Sequence, residues 1–159
     1  MKGRCFVIFL TSVFIDLVTG QCPNGFNYHQ QSCYHFSQDE KSWLSALVAC
    51  QRLFSANLAE IENEQEFQYL QGKSFQRGEK YWIGGDDLQV EGDWRWQSTG
   101  QKIPLHIDWW LSGNPSNSYA EENCLELNYQ SHQSYLNDLR CYISNRYICE
   151  KPAHVDIIG

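Results

Sequence analysis

The sequence predicts an α+β domain stapled by disulfides. Three observations carry this. Two segments of helical period lie in the first half of the chain. The second half loses that period and alternates aromatic-rich strands with Gly, Ser, Asn and Pro loops. The cysteines suit a disulfide framework in a small exported chain.

The chain has 159 residues, 7 cysteines and a formal charge of −7. Its start reads as an export leader. Lys2 and Arg4 precede an apolar run from Cys5 to Phe14, too short to span a bilayer, and Asp16 interrupts the stretch beyond it. Val18 and Gly20 are permissive before an expected cleavage at Gln21. The expected organisation is a signal peptide over 1–20, a domain over 21–152 and a C-terminal tail over 153–159. The expected location is secreted and extracellular, with no membrane span. Losing Lys2, Arg4 and Asp16 makes the remainder one unit more negative. That argues against nucleic acid, whose phosphates demand basic patches.

Without Cys5, cysteines remain at 22, 33, 50, 124, 141 and 149. Six allow fifteen pairings, and spacing does not choose among them. None forms a Cys-x-x-Cys pair, and the histidines at 29, 35, 106, 132 and 154 lack metal-ligand spacing, so structural zinc is not expected.

Cys22 to Cys33 reads as a hairpin, with Gly25 as its turn and Phe26, Tyr28, Tyr34 and Phe36 as strand aromatics. Ser37-Gln38-Asp39-Glu40 reads as a capping box. Trp43, Leu47, Cys50 and Phe54 then recur at helical spacing, flanked by Ala46 and Leu53. Residues 57–61 read as a short link. Asn63, with Glu66 three residues on, starts a second helix carrying Phe67 and Leu70, and Gly72 is expected to stop it. Tyr81-Trp82-Ile83, Trp94-Arg95-Trp96 and Trp109-Trp110 come next as aromatic clusters. Trp82, Trp94, Trp96 and Trp110 are expected in the core. Residues 97–122 look loop-dominated. Cys124 to Tyr129 alternates as a strand, and Arg146 to Glu150 reads as a closing strand.

Trp43-x-x-Ala46-x-x-x-Cys50, Trp82-Ile83-Gly84-Gly85, and Cys124, Cys141 and Cys149 with Tyr147-Ile148-Cys149-Glu150 together resemble the C-type lectin-like domain. The match spans about Cys22 to Pro152, and the single-domain layout is similar to the perlucin-like lectins of molluscs. The resemblance implies two helices packed on antiparallel strands with a long loop region. It implies the pairs Cys22–Cys33, Cys50–Cys149 and Cys124–Cys141.

It also implies a Ca²⁺ site that binds sugar, carried onto Asn114, Ser116, Glu122, Asn137 and Asp138, with Pro115 in cis. A cation taking roughly 6–8 oxygens has room left for two sugar hydroxyls. The family's usual tripeptides are Glu-Pro-Asn for mannose-type and Gln-Pro-Asp for galactose-type sugars. Asn114-Pro115-Ser116 matches neither and brings no carboxylate, so the sugar class stays open. Leu136 stands where the family has Trp and reads as a packing residue. An auxiliary Ca²⁺ site falls on Asp87, Glu91, Asn117 and Asn123. Tyr119, His132 and Tyr135 are candidates to stack on a sugar face.

Three binding roles fit these residues. The first is a secreted calcium-dependent carbohydrate-binding protein in innate glycan recognition, gaining avidity from clustered ligands or a non-covalent homo-oligomer. The second is a matrix or shell protein binding calcium carbonate, weakened because the acids are scattered rather than in runs. The third is a lectin-like scaffold without sugar binding. An enzyme is not expected, since no motif groups Ser, His and acid.

Overall fold

The computed structural model describes residues 19–105, 107–130 and 133–156. The expected leader therefore falls almost wholly outside the described residues, as do His106 and His132. No helix among the described residues is long and apolar enough to cross a membrane.

Strands β2 (Asn27–His29) and β3 (Ser32–Phe36) form the first hairpin. Its turn is Gln30-Gln31, both at positive φ, rather than Gly25. Gly25, at φ +86, instead shapes the preceding turn, where the Phe26 N–H donates to Pro23 O. Two left-handed residues suit a two-residue hairpin, because their twist matches that of the strands.

Helix α1 (Trp43–Phe54) starts at Ser42, whose hydroxyl accepts from the Ser45 N–H. The capping box expected at Ser37 does not form. The Ser37 hydroxyl accepts from the Tyr147 N–H at 2.9 Å and donates to Asp39 O, tying the end of β3 to the last long strand. Trp43, Ala46, Leu47, Ala49 and Cys50 face the core. Asn57–Leu58, expected as a link, forms the short strand β4.

Helix α2 (Glu64–Arg77) is capped by Asn63, whose side chain accepts from the Glu66 N–H at 3.0 Å. It runs through Gly72 and ends at Gly78, which takes the left-handed conformation at φ +66. A mid-helix glycine costs about 1 kcal/mol against alanine. Burial of Phe67, Leu70 and Ser74 along one face outweighs it.

Strand β5 (Tyr81–Asp86) is the centre of the molecule. It pairs with β6 (Arg95–Trp96), with β7 (Cys124–Gln130) and, in parallel, with β9 (Arg146–Pro152). The remaining long strand, β8 (Gln133–Leu139), completes a path β2-β3-β9-β5-β7-β8. The sheet is thus mainly antiparallel with one parallel contact. Part of the expected tail is also paired: β10 (His154–Asp156) lies against β1 (Thr19–Gln21).

Gly84 and Gly85 are close-approach positions. A Cβ on Gly84 would lie 2.9 Å from Leu58 O, and one on Gly85 would lie 2.5 Å from Leu125 Cδ2. Trp43 and Trp82 lock the same region, donating to Ile83 O at 2.8 Å and Lys41 O at 2.9 Å. Trp82, Trp94, Trp96, Trp110 and Leu136 are all buried, as the pattern predicts. Disulfides join Cys22–Cys33, Cys50–Cys149 and Cys124–Cys141.

Candidate cation and carbohydrate site

The end of β5 and the β7–β8 hairpin gather the acidic and amide side chains. Asp86 sits opposite Cys124, and Asp138 sits opposite Leu125. The Asp87 N–H donates to Asn123 O at 3.2 Å. The Cys124–Cys141 disulfide closes the bases of β7 and β8 beneath them.

The loop over this end is tied down by its own side chains. The Asn114–Pro115 bond is cis. Ser116 Oγ donates to Glu122 Oε2 at 3.1 Å, and the Ser118 N–H reaches the same oxygen at 2.9 Å. The Glu122 N–H donates to the Asn117 side-chain oxygen at 3.2 Å, while the Asn117 N–H donates to Asp138 Oδ2 at 2.5 Å. Asn117, Tyr119 and Ala120 all hold left-handed backbone. Non-glycine residues pay a local conformational cost there, and such outliers cluster at functional sites. Arg140 spans the segment, bonded to Glu121 at 3.1 Å and lying 5.2 Å from the Tyr119 ring.

Three buried oxygens here have no hydrogen-bond partner among the described residues: Asp87 Oδ1, Asn123 Oδ1 and Asp138 Oδ1. All three accept and cannot donate once the acids are ionised. Buried polar atoms are normally satisfied, so these orphans require an explanation. Burial raises the Asp87 pKa most, and repulsion from Glu91, Asp138 and Asp86 adds to it. A hard cation removes both problems, supplying a partner to each oxygen and offsetting the crowded charge. Asp87, Asn123 and Asp138 fit that role, with Asn117 adjoining and the exposed Glu91 within electrostatic reach. Among the described residues no group of three or more His, Cys, Asp or Glu side chains is placed to hold a metal ion by itself, so such a site would depend on amide and hydroxyl oxygens too.

Asn137 behaves differently. Neighbouring residues on a strand face opposite sides. Asp138 turns toward the loop, while Asn137 lies opposite Glu126 and donates its amide to Glu126 Oε1 at 2.9 Å. Glu126 is 1% exposed and also receives the amides of Asn128 at 2.9 Å and Asn145 at 2.8 Å. Burial raises its pKa, opposed first by the Asn137 hydrogen bond. Direct contacts thus join Ser116, Asn117, Glu122 and Asp138. Asp87 and Asn123 adjoin them, Asn114 flanks the cis bond, and Asn137 is held from behind by Glu126. Sequence reasoning missed Glu126. Its only signal was a carboxylate between Leu125 and Leu127 in an alternating strand, which ordinarily marks a solvent face. Of the stacking candidates, Tyr119 is 86% exposed and Tyr135 is half-buried in β8.

Residues 39–151 match the model of the lectin C-type domain. Perlucin of Haliotis laevigata is 37% identical over 135 residues, covering 84% of this chain and 79% of the relative. C-type lectin domain family 4 member M of Pan troglodytes is 34% identical over 83% of this chain, which spans only 28% of that longer protein. Among solved structures, the mouse scavenger receptor C-type lectin carbohydrate-recognition domain superposes with a TM-score of 0.73 at 30% identity, covering 84% of this chain and 98% of that domain. A calcium-independent type II antifreeze protein superposes with a TM-score of 0.71 at 26% identity, covering 86% and 98%. Family model, identity and superposition agree with the buried Trp82-Ile83-Gly84-Gly85 segment of β5 and the three disulfides: this chain belongs to the C-type lectin domain family.

Proposed function

We propose that the protein is a secreted lectin that holds Ca²⁺ in the Asn114–Asp138 region and binds glycans through it. The orphaned acceptors Asp87 Oδ1, Asn123 Oδ1 and Asp138 Oδ1 beside the Ser116–Glu122 contact carry this reading. Ser116, Glu122, Asp138 and Asn114, with the Oδ1 of Asn137, would supply the sugar-facing ligands. Asp87, Glu91, Asn117 and Asn123 would supply the auxiliary ones. The bound ion would coordinate vicinal sugar hydroxyls, and the protein's amides and carboxylates would orient them. Nothing here activates a nucleophile, so the reading is of binding without turnover. Recognition of microbial or self glycans in innate defence is the role this reading suits.

The missing carboxylate in Asn114-Pro115-Ser116 lowers the ligand charge, which points to a Ca²⁺ affinity of roughly millimolar. A single sugar contact of about −4 kcal/mol corresponds to a Kd of about 1 mM, so useful binding needs several sites engaged at once. The amide of Asn114 is a shortened Gln, which favours galactose-type over mannose-type sugars.

The test is a glycan array read with Ca²⁺ and with EDTA, on wild type and Glu122→Gln. Binding is expected only with Ca²⁺ and wild type. Binding indifferent to both EDTA and the substitution overturns the mechanism. A silent array favours a second reading, a lectin-like scaffold without sugar binding. The use of the Asn137 amide by Glu126, and the calcium-independent relative, support that reading.

A further inference from the structure

Helix α1 buries one face and leaves the other apolar and open. Trp43, Leu47 and Cys50 point into the core. On the outward side Leu44 is 63% exposed and Leu53 is 69% exposed, with Val48 exposed between them. Exposed aliphatic side chains scattered singly are ordinary, whereas contiguous ones rimmed by polar groups mark an interaction site. These are contiguous: Leu44, Val48 and Leu53 line one shallow groove along α1, together with Ser45 and Ala49. Leu44 also borders a second hollow, shared with the exposed Leu88 just beyond β5.

The shape of this face fits a copy of itself. Leu44, Val48 and Arg52 recur every four residues and make a ridge. Ser45 and Ala49 make the neighbouring row, and their small side chains leave it low. A ridge beside a groove of the same spacing is self-complementary, so each copy can lay Val48 between the partner's Ser45 and the partner's Ala49. Packing of four-residue ridges into such grooves crosses two helices at about 50°.

Charge sets the direction. Glu40 lies just before α1 and Arg52 lies in its last turn, both exposed. Neither is ion-paired among the described residues. Lys41, by contrast, is taken up by Asp39 at 2.7 Å. Two copies side by side in the same direction would set like charges together at both ends. Opposed copies set each Arg52 toward the partner's Glu40 and also oppose the helix dipoles.

We propose that α1 pairs with α1 of a second copy of this chain, running in opposite directions about a two-fold axis. The same patch then serves both partners, as in an isologous dimer. The pairing stands apart from the calcium loop, although a dimer carries two such loops and so supplies the avidity that weak glycan contacts need.

The experiment is sedimentation equilibrium of the intact secreted protein over rising concentration. EDTA is present throughout, so the result is independent of the glycan reading. A concentration-dependent doubling of mass is expected. Val48→Glu should abolish it. Glu40→Arg and Arg52→Glu should each weaken the dimer by about tenfold or more, because like charges then face each other across the contact. The double variant restores opposite charges and should recover the dimer. All three positions are exposed, and that recovery also shows that the single variants fold. A wild type that stays monomeric up to about 1 mM overturns the proposal. So does a dimer indifferent to Val48→Glu, and so does a double variant no tighter than the single ones. A monomer that instead cosediments with phosphatidylcholine vesicles, and loses this in Val48→Glu, assigns the face to a lipid surface and overturns the pairing.

Discussion

Tyr34 brings two carboxylates together inside the sheet: its hydroxyl lies 2.5 Å from Glu66 Oε1 and 3.3 Å from Glu150 Oε1. Burial and then the charge of Glu66 push the Glu150 pKa up to about 7. A carboxyl held above its unfolded value of about 4.3 favours the folded state while protonated. Its contribution is complete below about pH 4.3 and is lost as the pH rises through about 7. Wild type should therefore lose stability relative to Glu150→Gln between about pH 4.5 and pH 7.5, measured by urea denaturation at each pH. Parallel curves for the two proteins would show that Glu150 titrates normally. Glu126 is the contrasting case, a buried carboxylate that receives three amides. Glu126→Ala leaves those donors without an acceptor, at a cost of about 2 kcal/mol or more in denaturant midpoint analysis. A loss under about 0.5 kcal/mol would mean water replaces the carboxylate. Neither role was legible in the sequence, because a glutamate in a strand reads as exposed until both neighbouring elements are placed. The nearness of Glu122 and Asp138 was legible, because their spacing to Cys124 and Cys141 is short, and Asn117 bonds to both.

Strand β5 shows why Trp82-Ile83-Gly84-Gly85 was legible as a unit. Gly85 has Leu125 on one side and Ile103 Cδ1 at 2.8 Å from where a Cβ would stand. Gly85→Ala overpacks the junction of β5 and β7 and should cost about 1–3 kcal/mol. The measurement is the urea midpoint; an unchanged midpoint would mean the two side chains swing aside freely. The helices were equally readable where side chains carried the signal: the Asn63 cap and the Trp43–Cys50 face form as the pattern indicates. Their ends were not. Gly72 looked like a stop because glycine is a poor helix former, yet packing of Ser74 and Leu70 carries α2 onward to Gly78.

The Cys50–Cys149 bond joins α1 to β9 across 99 residues of chain. On the chain-entropy account such a closure is worth about 4–5 kcal/mol. Replacing both cysteines by alanine should lower the thermal midpoint steeply, while the same change at Cys22 and Cys33, separated by 11 residues, should cost less. Equal losses in calorimetry would refute the loop-length argument. The fold class was legible in the sequence through periodicity and family resemblance, and the three cysteine pairs through the resemblance, since these are one-dimensional signals. Tertiary structure decided which way the candidate calcium-loop side chains face. Strand alternation turns Asp138 to the loop and Asn137 to Glu126, and the fold leaves unmet acceptors among the described residues at one end of β5. Only the packing of residues distant in sequence sets whether a polar atom finds its partner.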